Sequence, residues 1–251
     1  MNNNKSLRWH RIFRNDRRAV VIAMDHGLFG ASPLGNLRDP GNLIAQVVSA
    51  GADAILTSPG IASACGNAFG RAGLILRVDG GTTRLGGNWG AMSQLFSVTA
   101  AVRLGADAVV AMGFIGGAEE KASLTSLAAV ARECLEWRVP LLGEMMLTGA
   151  AGENISAENL ITAARIGAEM GADFIKIAYT GSPDSFKSLV DDCFVPVLML
   201  GGDSKAEAEI LGQVRDAMRA GAAGVAMGRN VWQHPDPAKI TRAIAEIVHA
   251  K

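Results

Sequence analysis

A short phrase recurs four times in the chain, and it constrains the fold more than any other feature of the sequence. The copies are AGADAIL at 50–56, LGADAVV at 104–110, MGADFIK at 170–176 and AGAAGVA at 220–226. Each copy follows a segment of helical periodicity and carries a glycine where a helix needs a left-handed residue after its last turn. The apolar run that follows is typical of a buried parallel strand. Each copy therefore predicts a junction between a helix and a strand.

The spacing between successive copies leaves room for two strand–helix units rather than one. Further short apolar runs fill the intervals and predict strands at 20–24, 74–78, 141–145 and 195–200. Helical periodicity is found at 39–50, 93–104, 121–137, 156–170, 184–192, 205–220 and 237–249, whereas 58–69 is less regular. Eight alternations of strand and helix predict a (β/α)8 TIM barrel in preference to an open doubly wound sheet.

No linker or shift in composition divides the 251 residues, so we expect one barrel over 19–251 with an N-terminal extension over 1–18. The extension is basic, but apolar residues alternate with its charges, which favours a helix that packs or makes an oligomer contact. Nucleic-acid binding is the minor alternative for this segment. Its apolar residues are Leu7, Trp9, Ile12 and Phe13.

Charge and cysteine content restrict the classes of partner and compartment. Lys and Arg number 24 and so do Asp and Glu, so no net charge attracts nucleic acid or an anionic membrane. The apolar run at 19–24 is too short for a signal peptide, and we expect no membrane segment. Three cysteines without metal-ligand spacing favour a cytoplasmic protein over one built on disulfides.

Lys176 is the most informative residue, because it interrupts the apolar run of the sixth predicted strand. Side chains alternate along a strand, so Lys176 shares a face with Phe174 and Ala178 and points into the barrel. Burial of an ammonium group favours the free amine, which can attack a carbonyl and form a Schiff base. The alternative is a structural lysine paired with Asp25 or Glu144.

Asp25 and Glu144 have inward parity on the first and fifth strands. Two carboxylates near one lysine suit imine chemistry, because one can hold the charge of the amine while the other moves protons. Either carboxylate could instead be a plain counter-ion.

Two glycine-rich strand ends predict a phosphate site. Active sites of such barrels lie at the carboxyl ends of the strands, and phosphates bind after the seventh and eighth. Here these ends contain Gly201-Gly202 and Gly228-Arg229, where Arg229 adds a fork of donors. We therefore expect Gly202, Gly228 and Arg229 to bind a substrate phosphate.

Several of these motifs together resemble the archaeal-type class I fructose-bisphosphate aldolases and the wider deoxyribose-phosphate and tagatose-bisphosphate aldolase group. The motifs are Arg11-Ile12-Phe13, Met24-Asp25-His26-Gly27, Phe174-Ile175-Lys176 with Tyr179-Thr180-Gly181, Gly201-Gly202 and residues 222–230. The resemblance implies the same barrel and a homo-oligomer, with a decamer as the assembly it suggests. It also implies that Lys176 forms the imine, that Asp25 handles protons, and that Gly202, Gly228 and Arg229 hold phosphate.

The fifth strand departs from the family pattern. Aldolases of this group typically carry tyrosine-proline-arginine-glycine there, and alignment on Gly149 places Met146 at the tyrosine and Thr148 at the arginine. A thioether cannot exchange protons at neutral pH. Glu144 is the substitute that we expect, with Asp25, His26 and Tyr179 as the next candidates.

The sequence thus predicts a metal-independent, cofactor-free lyase that forms an imine between Lys176 and a phosphorylated ketose or related ketone phosphate. Two alternatives stay open. One is an imine-dependent acyl or aldol transferase, similar to a thiolase or an aminodideoxyheptulosonate synthase. The other is a barrel without turnover that binds a sugar phosphate as a regulator.

Overall fold

The computed structural model describes residues 5–86 and 92–250. Eight parallel strands form a closed barrel in which each strand pairs with the next in sequence and the eighth pairs with the first, which confirms the predicted fold. The strands are β1 (Ala19–Ala23), β2 (Ala54–Thr57), β3 (Gly73–Arg77), β4 (Ala108–Ile115), β5 (Leu141–Leu147), β6 (Phe174–Ala178), β7 (Val197–Leu200) and β8 (Gly224–Met227).

Helices connect the strands on the outside of the barrel. The α-helices are Ser6–Trp9, Pro40–Ser49, Pro59–Ala64, Val98–Arg103, Glu120–Trp137, Gly149–Glu153, Ala157–Glu169, Pro183–Asp192, Glu207–Arg219, Arg229–Trp232 and Pro237–Val248. Short 3-10 helices cover His26–Phe29, Gly35–Arg38 and Gly66–Ala68.

The four repeated phrases end helices as their glycines predict. Gly51, Gly105, Gly171 and Gly221 all have positive φ. At the first copy the amide of Gly51 donates to the carbonyl of Val48, and the amide of Ala52 donates to that of Val47. This pair of hydrogen bonds is the Schellman motif, and the other three copies repeat it. The motif turns the chain into the strand that follows.

The predicted helix over 93–104 starts later than its periodicity indicates. Its first helical residue is Val98, because the hydroxyl of Ser97 accepts the amide of Ala100 at 3.1 Å and caps the helix there. Ser93–Gln94 instead pairs antiparallel with Asp79–Gly80. Among the described residues, no helix is long and apolar enough to cross a bilayer.

The interior of the barrel and the layer under the helices are separate apolar clusters. Phe174, Leu142 and Val21 belong to the interior cluster, whereas Ile175 and Ile177 pack with the helices. This alternation places Lys176, Glu144 and Asp25 on the inward face, as predicted from parity.

The segment before β1 closes the bottom of the barrel, where the strands begin. Trp9, Ile12 and Phe13 are buried in the interior cluster. The ring of Phe13 stacks on Trp9 with 4.3 Å between centroids and meets Phe174 edge-on at 5.4 Å. The predicted packing role is therefore confirmed for the described part of the segment, whereas residues 1–4 of the predicted extension lie outside the described residues.

The basic residues of this segment pair with the repeated phrases. Three ion pairs join the segment to the aspartates of the GAD phrases. They are Lys5–Asp173, Arg11–Asp107 and Arg14–Asp53. Each aspartate also accepts the first or second amide of the preceding strand, at Leu141, Leu74 and Val20. The repeat thus fixes strand starts and anchors the N-terminal segment in one arrangement.

The C-terminal His249 joins the same bottom surface, and we expect it to make stability pH-dependent. Its Nδ1 lies 2.7 Å from Asp16 Oδ2, and its Nε2 lies 2.9 Å from Asp53 Oδ2. Burial opposes the charged form, but the two carboxylates outweigh it and raise the pKa of His249 above 6.5. A raised pKa stabilises the fold fully below the unfolded value, and this contribution is lost as pH rises through the folded value.

Urea unfolding of wild type and His249→Gln at about pH 6 and about pH 8.5 checks this prediction. The substitution should cost more free energy of unfolding at the lower pH. His10→Gln, on the exposed His10, is the matched control and should show no such difference. Equal costs of His249→Gln at both pH values would contradict the prediction.

Candidate active site

A cavity of about 520 Å³ opens at the top of the barrel, where the strands end. All six residues predicted from the sequence to bind or react line it, which are Lys176, Asp25, Glu144, Gly202, Gly228 and Arg229. Parallel strands bring their carboxyl ends to one face of a barrel, so residues far apart in sequence meet there. The position of the site is therefore a consequence of the fold.

Lys176 and Glu144 form the centre of the site. They occupy directly paired positions on β6 and β5. Lys176 Nζ lies 2.6 Å from Glu144 Oε1, and both side chains are about 5% exposed. The carboxylate is the counter-ion of the lysine and is also placed to accept its proton. The two interpretations from the sequence, a counter-ion and a proton acceptor, thus describe one contact.

Arg77, at the end of β3, is a member of the site that our sequence analysis missed. Its side chain is fully buried. Its Nε and Nη2 lie 2.8 Å from Asp25 Oδ2, its Nη1 lies 3.0 Å from Asp79 Oδ1, and Nη2 also contacts Glu144 Oε2. The sequence does contain a feature that indicates its role. Arg77 interrupts the apolar run Leu74–Val78, just as Lys176 interrupts its own strand.

The charges of this cluster shift the acidity of its carboxyl groups. Burial opposes the ionisation of Glu144, but the positive charges of Lys176 and Arg77 outweigh it and lower the pKa of Glu144 to about 2. Burial raises the pKa of Asp79, and Arg77 only partly offsets this effect. Glu144 is therefore a carboxylate at neutral pH, which can accept a proton but has none to donate before the reaction starts.

His26 lies between Asp25 and Gly228. Its Nδ1 is 3.5 Å from Asp25 Oδ1, and its ring meets Trp232 with 5.3 Å between centroids. The ring also packs on Gly228, so closely that any side chain at that position would overlap it. Burial lowers the pKa of His26, with Asp25 opposing the shift. His26 is thus a neutral base near neutral pH, next to the predicted proton carrier.

The ends of β7 and β8 form one connected surface. The side-chain amide of Asn230 donates to the carbonyls of Gly201 at 2.8 Å and Asp203 at 3.1 Å, and its oxygen accepts the amide of Lys205. Asn230 therefore fixes the shape of the loop that contains Gly202, whose φ of 67° suits glycine. Arg229 contacts the exposed carboxylate of Asp203 at the rim of the cavity.

The opposite wall of the cavity is apolar. Phe29, Met112 and Met146 line it, and they belong to a small cluster with Met92 and Phe114. Tyr179 is the single tyrosine of the chain, and it packs against Phe186 instead of lining the cavity. The described part of the site therefore has no phenol, and Met146, which the resemblance aligns with the family's tyrosine, lines the cavity. The described residues include no group of three or more His, Cys, Asp and Glu arranged to hold a metal ion, and metal independence stays a prediction.

Comparison with known proteins assigns the family. A sequence model of the DeoC/LacD family aldolases matches residues 19–234 of the chain. The chain belongs to the DeoC/LacD aldolase family. The predicted resemblance is confirmed, and with it the expectation that the chain is an enzyme of the Schiff-base-forming aldolase class.

Two relatives with different names are similar to this DeoC/LacD aldolase over nearly its whole length. The 2-amino-3,7-dideoxy-D-threo-hept-6-ulosonate synthase of Halobacterium salinarum is 42% identical, over 98% of this chain and 91% of its own. The class 1 fructose-bisphosphate aldolase of Thermoproteus tenax is 36% identical, over 98% and 95%.

Solved structures agree with the family. An archaeal fructose 1,6-bisphosphate aldolase superposes with a TM-score of 0.87 at 35% identity, covering 99% of this chain and 100% of its own. Another archaeal fructose-1,6-bisphosphate aldolase structure, with the same TM-score and identity over 98% and 99%, has its catalytic lysine bound covalently to a carbinolamine intermediate. The roles of individual residues in this chain stay predictions.

The close packing of His26 on Gly228 leads to a prediction. Gly228→Ala places a methyl group against the ring and within 3.0 Å of the carbonyl oxygen of Ala23. The ring must leave its place beside Asp25, and overpacking of this kind costs about 1–3 kcal/mol. Urea unfolding should show this loss, and NMR titration should show an altered pKa of His26.

Gly212→Ala is the matched control, because an added Cβ there meets no atom within 4 Å. Gly212 lies inside the helix Glu207–Arg219, where alanine should add about 0.5–1 kcal/mol of stability. Unchanged stability and an unchanged His26 titration in Gly228→Ala would contradict the close packing.

Proposed function

We propose that the chain catalyses metal-independent aldol chemistry through an imine between Lys176 and the ketone of a phosphorylated ketose or related ketone phosphate. The observation that carries the proposal is the buried contact of 2.6 Å between Lys176 Nζ and Glu144 Oε1 inside the cavity at the strand ends. A buried amine with a carboxylate in hydrogen-bond reach is the arrangement that nucleophilic catalysis by lysine requires.

The imine forms in balanced proton-transfer steps. Glu144 takes a proton from the Lys176 ammonium group, and the free amine attacks the ketone carbon. The carbonyl oxygen takes up that proton as the C–N bond forms, which gives a carbinolamine. The nitrogen of this carbinolamine carries two protons and a positive charge. Glu144 takes one of these protons and passes it to the hydroxyl, and loss of water gives the iminium ion. Glu144 ends the sequence as the carboxylate that faces a positive nitrogen.

The iminium ion accepts the electrons of the carbon–carbon bond that breaks. We assign Asp25 the proton of the hydroxyl whose carbon becomes the aldehyde. Asp25 lines the cavity as a buried side chain on β1's carboxyl end, held by Arg77 at 2.8 Å. His26 beside it connects this carboxylate to the surface of Gly228.

The substrate phosphate is assigned to the ends of β7 and β8. Gly202, Gly228 and Arg229 line the cavity there, and Asn230 fixes the loop. Arg229 supplies two or more donors to a phosphate once it exchanges Asp203 for the ligand. The opposite wall of Phe29, Met112 and Met146 would then contact the aldehyde half.

A group-transfer reaction is the second candidate, and the absence of a phenol from the described cavity favours it. An enzyme that transfers the enamine to a second carbonyl compound uses the same lysine. The Halobacterium salinarum relative is named a synthase. Product analysis with a ketose phosphate, alone and with added aldehydes, separates cleavage from transfer.

We propose that the chain forms a cytoplasmic homo-oligomer, with a decamer as the assembly suggested by the resemblance. It binds a small phosphorylated substrate and neither nucleic acid nor membrane. We also propose that residues 1–18 form an extension and that residues 19–251 form the barrel. Burial of Trp9 and Phe13 under the barrel supports a packing role for the extension.

The first test identifies the nucleophile. Wild type treated with dihydroxyacetone phosphate and borohydride should gain the mass of one reduced adduct, and Lys176→Met should gain none while keeping its circular dichroism. Lys187→Met is the control, because Lys187 is exposed and paired with Asp191. Peptide mapping of the adduct to Lys187 or Lys205 would refute the assignment of Lys176.

The second test concerns phosphate recognition. Arg229→Ala should weaken binding of the phosphorylated ketone by about 1.5–3 kcal/mol, which is typical of a hydrogen bond to a charged group. Arg219→Ala is the control, because its side chain is 76% exposed and pairs only with Asp216. Isothermal titration should show no loss for a dephosphorylated analogue, and equal losses for both ligands would contradict the role.

A further inference from the structure

One buried guanidinium holds three carboxylates at the floor of the cavity. The donors of Arg77 are divided between Asp25 (2.8 Å), Asp79 (3.0 Å) and Glu144. The ring of Phe29 covers the guanidinium with 5.5 Å from Cζ to the ring centroid. A fork of fixed N–H groups can bind several carboxylates in a defined geometry, whereas a lysine at the same place could not.

Glu144 is shared between two cations through different oxygens. Its Oε2 contacts Arg77 Nη2, and its Oε1 lies 2.6 Å from Lys176 Nζ. Rotation of the carboxylate about its terminal bond would break the contact with Arg77. Arg77 therefore aims the other oxygen at the lysine, although it does not touch the lysine itself.

Asp79 anchors Arg77 from behind the cavity. It does not line the cavity, and its Oδ2 accepts the amide of Met112 at 2.6 Å while Oδ1 accepts from Arg77. The antiparallel pair of Asp79–Gly80 with Ser93–Gln94 lies directly after β3. The guanidinium is thus fixed on its far side by Asp79, which the backbone amide of Met112 in β4 holds in place.

The charge balance of the cluster depends on Arg77. The titratable groups around Glu144 are Lys176, Arg77, Asp25, Asp79 and His26. With Arg77 there are two cations for three carboxylates, and without it one lysine would face all three. Carboxylates this close in a buried site cannot all stay ionised without cations, so one or more would take up a proton.

We propose that Arg77 is the positioning residue of this site, which holds Asp25 in place, keeps Glu144 anionic and aims the free oxygen of Glu144 at the amine of Lys176. A protonated Glu144 could not take the proton of the ammonium group, and a rotated one could not reach it. The consequence for turnover rests on the proposed function. The consequence for the charge of Glu144 does not, and it can be measured without substrate.

The substrate-free experiment follows the Glu144 carboxyl carbon by NMR in the full chain labelled with ¹³Cδ-glutamate, with Glu144→Gln used to identify its signal. In wild type the signal should stay that of a carboxylate from about pH 8 down to about pH 4. In Arg77→Met the signal should titrate inside this range, with a midpoint above about pH 4. A carboxylate signal throughout the range in Arg77→Met would overturn the proposal, whatever the result of borohydride trapping.

Arg77→Lys separates position from charge. The ammonium group keeps one positive charge but cannot hold Asp25, Asp79 and Glu144 together. We expect the rate of borohydride trapping with dihydroxyacetone phosphate to fall at least fivefold, with less rise in the Glu144 midpoint than in Arg77→Met. A wild-type trapping rate in Arg77→Lys would refute the positioning role.

A second substitution serves as the control for loss of stability in these variants. Arg77→Met leaves Asp79 buried without its cation, so Arg77→Met/Asp79→Asn removes this cost and is measured if the single variant unfolds. Asp79→Asn alone keeps the cation beside Glu144, so the Glu144 midpoint should rise less in it than in the double variant. A rise in the Glu144 midpoint in Asp79→Asn equal to that in the double variant would assign the effect to Asp79 and overturn the proposal.

Discussion

The site depends on the pairing of buried charges. Five ionisable side chains lie almost out of solvent at the top of the barrel, namely Asp25, Arg77, Asp79, Glu144 and Lys176. Removal of each ion from water costs several kcal/mol, and only close, well-directed partners offset this cost. The contacts between Lys176, Glu144 and Arg77 are therefore conditions for the folded state and, in the proposed function, for the reaction as well. The same close contacts between these charged groups serve the stability of the fold and the proposed reaction, so these side chains have little freedom to move.

The two ends of the barrel use charge pairs for different purposes. At the bottom, the aspartates of the GAD phrases accept backbone amides at the strand starts and pair with cations of the N-terminal segment, for example Asp53 with Arg14. These cations are partly exposed, so solvent weakens each pair, and the pairs hold the N-terminal segment in place. At the top, burial makes the same kind of contact strong enough to control protonation, as the lowered pKa of Glu144 shows.

Local pattern was sufficient for the fold and for part of the site. The glycines of the repeat predicted helix ends, and strand parity predicted that Lys176, Glu144 and Asp25 point inward. Parity applies equally to Arg77, which shares the inward face of β3 with Ile75. Its role could not be read from β3 alone, because its partners lie on β1 and β5, and the reach across the barrel depends on the register of several strand pairs. The role of Asn230 could not be read locally either, because this residue after β8 bonds the loop that follows β7.

Met146 stands where the family resemblance predicts a tyrosine, on the same strand as Glu144 of the charged cluster. A phenol carries its own exchangeable proton and can serve as acid or base without neighbouring ions. Carboxylates can replace it only if their charge and direction are controlled, since a buried carboxyl group otherwise becomes neutral. Met146, Met112 and Phe29 make the adjoining wall apolar, which strengthens each charge interaction in the site. In the proposed function, a carboxylate that acts without a phenol depends on a cation placed as Arg77 is, beside Glu144 but apart from Lys176.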